Sequence, residues 1–274
     1  MSPEDVEVIC KVVHARSGVA VDPTKTYMIE TRLTPVARRD GFEDLEALVN
    51  ALRERRDDRL MWAVTEALTQ GETSFFRDRE PFTRFRDQML PTLAAQRDGP
   101  LRVWSAACAT GQEPYSMAMA IDEAIAQVPG LRVELFASDL SERRLEKAQS
   151  GLYTQFEIQR GLPIRLLVRH FEKVDELWRP SARLREMIRW RRINLLADLR
   201  PLGQFDVIFC RNVISTLDPA LRPRVLEQMA RALAPDGWLV LGRDETAAGL
   251  TETLEPVDGW TGAFARSPGF RAAA

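Results

Sequence analysis

The stretch that most constrains the fold of this chain is residues 101–119, which read LRVWSAACATGQEPYSMAM. The short apolar run from Val103 to Cys108 predicts a buried strand, and Gly111 provides a tight turn after it. Pro114 suits the start of a helix because its missing N–H group has no partner there in any case. A strand, a glycine turn and a helix N-terminus in this order are typical of the cofactor crevice of an α/β sheet.

The turn differs from a dinucleotide-binding fingerprint. It has one glycine where the G-x-G-x-x-G pattern has three, and Glu113 lies at the helix start, where it would repel a pyrophosphate. A carboxylate in this position suits a cationic or hydroxyl-bearing ligand such as S-adenosylmethionine, which carries a sulfonium, an ammonium group and ribose hydroxyls. On spacing alone, a purely structural strand-to-helix turn is an equally good interpretation.

Composition and charge exclude several classes of protein. A chain of 274 residues is long enough for two domains, and its net charge of −2 lacks the basic excess of an electrostatic nucleic-acid binder. The cysteines (Cys10, Cys108 and Cys210) are far apart and the chain has only two histidines, so we expect no disulfide and no metal site. No apolar run suits a membrane span and no signal-peptide pattern opens the chain, which predicts a cytoplasmic protein.

Residues 1–80 predict a small all-α domain. Apolar residues recur at helical spacing in four segments, beginning with Val6 and Ile9, and four short amphipathic helices can bury one small core. In the second segment we expect Tyr27 to face inward and Thr34-Pro35 to kink or restart the helix.

The same segment carries a basic stripe in a domain that is otherwise acidic. The stripe consists of Arg32, Arg38 and Arg39. One interpretation is a solvated helix face. The alternative is that the positive charges steer an encounter with an acidic partner helix. In that case these arginines are the candidate substrate-docking residues.

A short aromatic segment and a connecting helix follow the helical domain. In residues 71–78, GETSFFRD, two aromatics flanked by Thr73 and Arg77 are unusual for a solvated linker. The connecting helix lies within residues 81–100, with Phe82 and Phe85 facing inward, and it stops before a Gly-Pro pair.

Polar side chains follow four successive strands of the predicted sheet. Residues 131–137 predict a second strand that ends in Asp139, where α/β folds place a carboxylate on ribose hydroxyls. Further parallel strands are predicted at residues 188–195 and 205–210. The acid and amide groups at the carboxyl ends of the strands indicate one binding site at one sheet edge: Glu113, Asp139, Asn194 and Asn212.

Seven segments match one protein family: KTYMIETRL (25–33), GETSFFRD (71–78), VWSAACATGQEPYSMAM (103–119), FASDLSERRLEKAQSGLY (136–153), RGLP (160–163), RRINLL (191–196) and FDVIFCRNV (205–213). On these segments the chain resembles the chemotaxis receptor glutamate methyltransferases, the CheR family, over nearly its whole length. The resemblance implies an enzyme that transfers a methyl group from S-adenosylmethionine to glutamate side chains of chemoreceptor cytoplasmic helices.

The resemblance also implies an α/β fold class with a defined domain order. A small N-terminal all-α helical domain (residues 1–80) and a connecting helix (81–100) precede a class I, Rossmann-like S-adenosylmethionine methyltransferase domain (101–274). A small antiparallel β-subdomain is inserted into that domain at residues 165–192, where the residues themselves predict a hairpin over 171–180.

Site residues follow from the matching motifs. The implied cofactor contacts are Thr73, Arg77, Gly111, Glu113, Asp139, Asn194, Leu195, Arg211 and Asn212. Asp139 would take the ribose hydroxyls, and Asn194 and Leu195 would lie on the adenine side. Arg77 is also the catalytic candidate, because an arginine can hold one oxygen of the substrate carboxylate and leave the other free to attack.

Three departures from the family pattern keep a second function open. Gly71 stands where the family usually has asparagine, Thr216 where it has a tyrosine beside the reacting methyl, and Arg243 where it has histidine. The alternative is therefore a catalytically weakened regulator that binds S-adenosylmethionine or S-adenosylhomocysteine. A nucleic-acid methyltransferase is disfavoured by the net acidity and by the lack of a D/N-P-P-Y motif.

The predicted hairpin bears on how a receptor would be recognised. Some family members capture a receptor's C-terminal peptide by strand addition to this subdomain. Here the turn around Asp175-Glu176 is tight and lacks a glycine-bearing extension, and Pro180 removes a donor from one strand. We expect no such tether, and we expect a monomer because no unusual apolar patch is readable.

Overall fold

The computed structural model describes residues 1–54, 57–69 and 71–270. The chain separates into a helical unit, Met1–Gly71 with Ser215–Arg222, and a sheet unit, Glu72–Ile214 with Pro223–Ala274. Each unit is built around its own cluster of buried apolar side chains.

Helices α1 (Pro3–Ser17), α2 (Thr26–Arg39), α3 (Leu45–Glu54) and α4 (Asp58–Leu68) form the helical unit. Local capping explains where α1 lies, since the Ser2 hydroxyl accepts from the Asp5 amide, the Asp5 carboxylate accepts from the Ser2 amide, and Gly18 ends the helix at φ 70°. The predicted all-α domain is confirmed, with side chains such as Ile9 and Leu33 fully buried in its core.

Helix α2 differs from expectation in two respects. Tyr27 was expected to face inward, and this is wrong: the side chain is 82% exposed, because the buried face of α2 consists of Ile29, Leu33, Val36 and Ala37. Helix α2 also runs without a break through Pro35, which lies on the solvent-exposed face of the helix.

The described part of the sheet unit contains nine strands: β1 (Leu101–Ala106), β2 (Val133–Asp139), β3 (Phe171–Val174), β4 (Leu177–Pro180), β5 (Ile188–Arg192), β6 (Phe205–Cys210), β7 (Leu233–Leu241), β8 (Leu254–Pro256) and β9 (Ala263–Arg266). Seven of them form one sheet in the order β5-β2-β1-β6-β7-β9-β8. Neighbours from β5 to β7 pair in parallel, and β9 is antiparallel to β7 and β8. Every residue of β6 is buried, as expected for a strand covered on both faces.

Among residues 71–270, eight α-helices accompany the sheet: α5 (Glu80–Arg84), α6 (Leu90–Ala94), α7 (Gln112–Ile125), α8 (Glu142–Ser150), α9 (Gln155–Gln159), α10 (Ile164–His170), α11 (Ala182–Glu186) and α12 (Arg222–Ala232). A π-helical turn, Phe85–Met89, joins α5 to α6, so the predicted connecting helix is present with Phe82 and Phe85 buried. Among the described residues, no helix is both long enough and apolar enough to cross a membrane.

Strands β3 and β4 form the small antiparallel hairpin that the sequence predicts. Their turn has two residues, and Asp175 adopts a left-handed φ of 52° in it. The backbone of Trp178 in β4 also pairs with that of Tyr153, at N···O distances of 2.7 and 2.9 Å. Ile188–Arg192, at the end of the predicted insertion, is instead the outer strand of the main sheet, parallel to β2.

Gly161 permits a close approach between the segment before α10 and the backbone of Phe75. Its φ is +97°, and a Cβ built on it would lie 2.0 Å from the Phe75 carbonyl oxygen. No L side chain can occupy this position unless one of the two backbone segments moves.

Gly161→Ala should lower the free energy of unfolding of the sheet unit by about 3 kcal/mol, because left-handed strain adds to a backbone clash. Gly249→Ala is the matched control, since Gly249 has a φ of +76° with nothing within 4 Å of a built Cβ. The control should cost only about 1 kcal/mol. Urea denaturation measures both, and equal losses would contradict the close approach.

Candidate active site

The loop after β1 is held in a strained backbone conformation. Ala107 and Ala109 have φ values of 58° and 50°, which cost non-glycine residues about 1–3 kcal/mol each. The Ala109 amide donates to Asp139 Oδ2 at 2.9 Å, and the Cys108 amide donates to the Ser138 carbonyl at 2.8 Å. These bonds hold the loop against the carboxyl end of β2.

Gly111 ends this loop in a place where only glycine fits. A Cβ built on it would lie 2.8 Å from both the Ala148 Cβ and the Tyr153 hydroxyl oxygen, and its φ is +95°. The Tyr153 hydroxyl donates to the Thr110 carbonyl at 2.8 Å, so the turn packs directly against α8 and the residues that follow it. The glycine of the predicted cofactor turn is therefore required by close packing as well as by its backbone angles.

Glu113 lies at the start of α7 with its carboxylate directed to the sheet edge. The Ser105 hydroxyl donates to Oε1 at 2.8 Å, and Arg211 Nη1 donates to Oε2 at 3.3 Å. Burial raises the pKa of the Glu113 carboxyl, and the nearby Arg211 and Ser105 oppose the rise. The charged form of this carboxylate is thus stabilised by a few specific partners rather than by water.

Arg211 links this carboxylate to a distant part of the chain. Its side chain is 2% exposed, and Nη2 donates to the Arg77 carbonyl at 2.9 Å and to Asp78 Oδ2 at 2.5 Å. The guanidinium also lies over the Phe82 ring, 5.5 Å from its centroid. Within the described residues its Nε has no hydrogen-bond partner, which leaves one buried donor facing no protein acceptor.

The segment that Arg211 contacts is strained over several residues. Phe76, Asp78 and Arg79 have φ values of 48°, 64° and 35°. Of the seven left-handed non-glycine residues described, six lie in this segment, in the loop after β1 or after β6: Phe76, Asp78, Arg79, Ala107, Ala109 and Asn212. Backbone strain of this kind concentrates at functional sites, where the surrounding structure must hold it.

Other contacts hold the same segment within the sheet unit. The Phe76 amide donates to Ser116 Oγ at 2.9 Å, and Arg160 pairs with Glu72 at 3.0 Å. Phe75 is fully buried and packs edge-on against Tyr153. The aromatics that are unusual for a linker are therefore core residues.

Arg77 and Thr73 are both half-buried in this segment. Arg77 Nη1 donates to the Glu72 carbonyl at 2.8 Å, and the charge of Arg77 contributes to lowering the pKa of Glu113. An electrostatic effect of this kind requires proximity, so the structure brings the catalytic candidate near the predicted cofactor acid.

Sheet order brings the other predicted residues to the same edge. Asp139 is 2% exposed, with Oδ1 accepting from the Ser141 amide at 2.9 Å and Oδ2 from Ala109. Asn194 and Leu195 follow β5, next to β2, and the Asn194 Oδ1 accepts from the Leu196 amide at 3.0 Å. A carboxylate has about four lone-pair positions, so Asp139 retains acceptor capacity.

Asn212 completes the edge after β6, and an unpredicted residue holds it. Glu245 is buried, and its Oε2 accepts from the Asn212 amide at 2.6 Å and from the Gly242 amide at 2.8 Å. Sequence reasoning also missed Ser116 and Asp78, although both lie inside the matching motifs. Their presence in those motifs was the available signal.

The arginines of the predicted basic stripe on α2 differ in their contacts, and their role in substrate docking stays a prediction. Arg32 Nη1 donates to the Leu68 carbonyl at 3.3 Å, and Arg39 pairs with Asp40 at 2.9 Å. Arg59 pairs with the same Asp40 carboxylate at 2.8 Å. Arg38 and Arg39 are both exposed, and Arg38 lines an open cavity of about 700 Å³.

The departures from the family pattern lie outside the sheet unit or at its surface. Thr216 belongs to the helical unit, is exposed, and accepts through its carbonyl from the Ala20 amide at 3.0 Å. Gly71 and Arg243 are exposed.

The parallel sheet with one antiparallel strand, the acid opening α7 and the acid ending β2 together define an α/β methyltransferase of the S-adenosylmethionine-dependent class. The donor set fits that cofactor: Glu113 can meet a cationic group, Asp139 can accept from hydroxyls, and the buried Arg211 Nε can donate to an anionic one. Gly111 leaves the loop without a side chain that would obstruct a ligand.

Comparisons with known proteins agree with this class. The family model described as CheR methyltransferase, SAM binding domain, matches residues 71–262, and the CheR methyltransferase, all-alpha domain, matches residues 4–69. The chain is 35% identical over 260 residues to chemotaxis protein methyltransferase 1 of Vibrio cholerae, covering 94% of each chain. It is 34% identical over 259 residues to chemotaxis protein methyltransferase 1 of Pseudomonas aeruginosa, covering 92% of this chain and 94% of that protein.

A third relative is the chemotaxis protein methyltransferase of Escherichia coli K12, 34% identical over 247 residues, or 88% of this chain and 84% of that protein. The chain belongs to the CheR methyltransferase family. It is an enzyme that uses S-adenosylmethionine, as the resemblance implied.

Arg211→Lys should loosen the strained segment without unfolding the sheet unit. A lysine ammonium keeps the charge but cannot reach Glu113, the Arg77 carbonyl and Asp78 together, because it lacks the planar fork. We expect amide hydrogen exchange in residues 76–79 to rise about tenfold or more, and S-adenosylhomocysteine affinity to fall about tenfold.

Arg102→Lys is the control, since Arg102 also donates to two backbone carbonyls but lies at the opposite end of β1. Hydrogen exchange read by mass spectrometry and calorimetry of S-adenosylhomocysteine binding measure the two effects. Unchanged exchange in residues 76–79 of Arg211→Lys would contradict the role assigned to the guanidinium.

Proposed function

We propose that this enzyme methylates the carboxylates of glutamate side chains in the cytoplasmic helices of chemoreceptors. The observation that carries the proposal is that the carboxylates of the described site are already engaged: Glu113 accepts from Arg211 and Ser105, and Asp139 accepts from the amides of Ala109 and Ser141. Burial raises the pKa of the Cys108 and Cys210 thiols and of the Tyr153 phenol, so all three stay protonated at neutral pH. An acceptor that is already ionised needs no base, and a glutamate with a pKa near about 4.3 meets this requirement.

The two histidines do not alter this conclusion. His14 lies on α1 of the helical unit, where it pairs with Asp218 at 3.1 Å. His170 lies at the end of α10 and is buried, and burial lowers its pKa. Neither side chain is among the described neighbours of Glu113 or Arg211.

The cofactor, when bound, supplies an electrophilic methyl group. We propose that Glu113, Asp139, Asn194 and Leu195 hold it, together with Gly111, Thr73, Arg211 and Asn212. Arg77 is proposed to bind one oxygen of the acceptor carboxylate and so direct the other toward the methyl, since a planar guanidinium presents its donors in a fixed geometry. Positioning and the exclusion of water then account for the rate, because no proton has to be removed.

The printed names of the relatives support a receptor as the acceptor. Each of the three is called a chemotaxis protein methyltransferase. The net charge of −2 argues against a nucleic-acid substrate. We propose a monomer in the cytoplasm, where the methylated helices of such receptors lie, with no insertion into the membrane.

A C-terminal receptor peptide is not part of the proposed recognition. The β3–β4 turn is only two residues long, and the Trp178 backbone of β4 is already paired with Tyr153. Strand addition needs a free row of backbone donors and acceptors, and Pro180 removes one of the donors. The short hairpin therefore offers a poor edge for a peptide.

The test is transfer of a radiolabelled methyl from S-adenosylmethionine to a panel of receptor cytoplasmic fragments, each with and without its C-terminal tail. We expect base-labile label on the fragments, at equal rates with and without the tail. Arg77→Ala should reduce kcat/KM about a hundredfold or more, because acceptor orientation is lost. Arg77→Lys keeps the positive charge but not the planar guanidinium. It therefore separates the orientation of the acceptor carboxylate from simple charge attraction.

Calorimetry of S-adenosylhomocysteine binding accompanies the assay. Tight binding by the wild-type chain with no transfer to any fragment would favour the regulator that Gly71, Thr216 and Arg243 leave open. Full activity of Arg77→Ala would remove Arg77 from the mechanism.

The pH profile offers an independent check. Because the acceptor is ionised and the nearby thiols and phenol have raised pKa values, kcat/KM should stay within about twofold from about pH 6 to 8.5. It should fall below about pH 5, where the glutamate acceptor takes up a proton. A rise of tenfold per pH unit through neutrality would indicate a base-dependent acceptor instead.

A further inference from the structure

Helix α10 exposes a small apolar face beside a basic one. Ile164 and Val168, four positions apart, are 72% and 78% exposed, although Leu166 and Leu167 of the same helix are buried. Arg165 and Arg169 form the next column, since each follows one of the two apolar residues along the helix. We call these four residues, Ile164, Arg165, Val168 and Arg169, the α10 surface.

A cavity of about 280 Å³ borders the basic column. It is lined by Arg86, Glu123, Ala126, Gln127, Arg165 and Arg169. Ile125, adjacent to this lining, is a further large apolar side chain that is 39% exposed. The α10 surface therefore combines apolar side chains, cations and a recess of side-chain size.

The cations at the cavity outnumber the acids that line it. Arg86 and Arg165 share the Glu123 carboxylate, each at 2.8 Å, and Arg169 reaches Asp122 at 3.2 Å. Arg86 is also paired with Asp87 at 2.5 Å, so the charge available to a ligand comes mainly from Arg165 and Arg169. Their side chains are 65% and 49% exposed, and each of the two buried acids has a second cation, because Arg86 also pairs with Glu123 and Arg183 with Asp122.

The surrounding segment is the basic part of an acidic protein. Residues 160–192 contain ten lysines and arginines and four acids, whereas the whole chain has a net charge of −2. This segment therefore has an excess of six positive charges, and the rest of the chain, with 28 basic and 36 acidic residues, is net negative. Such an asymmetry favours an acidic partner and speeds its encounter.

We propose that the α10 surface docks an acidic amphipathic helix of the protein substrate. Apolar side chains of that helix pack on Ile164 and Val168, and a carboxylate enters the cavity and pairs with Arg165 and Arg169. Helix recognition of this kind needs apolar anchors at i and i+4 with charges beside them, which is the pattern that α10 presents. The proposal rests on the proposed function for the identity of the substrate.

The geometry favours a protein helix over a membrane or a free anion. A seven-residue helix with two exposed apolar side chains buries too little area to hold a protein at a lipid surface. A small anion would use the arginines alone and would make no use of Ile164 and Val168. Substituting the apolar and the basic side chains separately therefore distinguishes both alternatives from docking of a protein helix.

The test uses the full chain and receptor cytoplasmic fragments. Arg165→Glu/Arg169→Glu and, separately, Ile164→Ser/Val168→Ser should each raise the KM for the fragment about tenfold or more and leave kcat within about twofold. Arg200→Glu/Arg231→Glu is the matched control, because both arginines are exposed, pair with nearby acids and lie far from α10 in sequence. The control should leave KM unchanged.

Fluorescence anisotropy of labelled fragments with S-adenosylhomocysteine present separates docking from catalysis. Binding that the α10 variants lose supports the proposal even if the wild-type chain transfers no methyl, in which case only the proposed function fails. Normal affinity in both variants, or no binding of any fragment by the wild type, overturns the docking proposal.

Two further results also overturn it. One is an effect of the arginine variant alone, with inorganic phosphate competing for binding, which would indicate a small-anion site. The other is sedimentation of the wild-type chain with anionic phosphatidylserine vesicles that both variants abolish, which would indicate a membrane surface.

Discussion

The buried guanidinium of Arg211 is the interaction on which the candidate site depends. It contacts the carboxylates of Glu113 and Asp78 and the carbonyl of Arg77, and only 2% of its side chain is exposed. A charge in this position is tolerable only with partners, and removing one partner of a buried pair costs about 3–5 kcal/mol. Because its partners come from α7 and from the segment before α5, folding of the sheet unit itself assembles the site.

The contacts of Arg211 also explain how the protein maintains a strained backbone. Six left-handed residues in three separate segments cost about 1–3 kcal/mol each. Without contacts from other parts of the chain, these residues would return to ordinary backbone angles. Arg211, Ser116 and Glu245 provide bonds from neighbouring elements that hold these segments in place. Strain and its supports coincide with the carboxyl ends of β1 and β6, where the sheet topology places a ligand.

Ion pairs between residues of the same unit neutralise much of the charge of that unit. On α2, Arg32 and Arg39 contact the Leu68 carbonyl and Asp40. On α10, Arg165 and Arg169 contact Glu123 and Asp122 and also lie beside the exposed apolar side chains of that helix. Counting charges along a helix does not reveal this difference. It depends on which apolar side chains the fold leaves exposed beside the arginines of each helix.

The sequence by itself determined the fold class, the strand–turn–helix around Gly111 and the group of acids and amides at one sheet edge. These features follow from local periodicity and from motifs within about 20 residues. Tertiary structure decided that Tyr27 is exposed, that Pro35 lies inside a continuous helix, and that Asp78 and Glu245 support the site. The physical reason is separation along the chain: Arg211 and Arg77 are 134 positions apart, and only tertiary packing of the segment before α5 against the end of β6 brings them together.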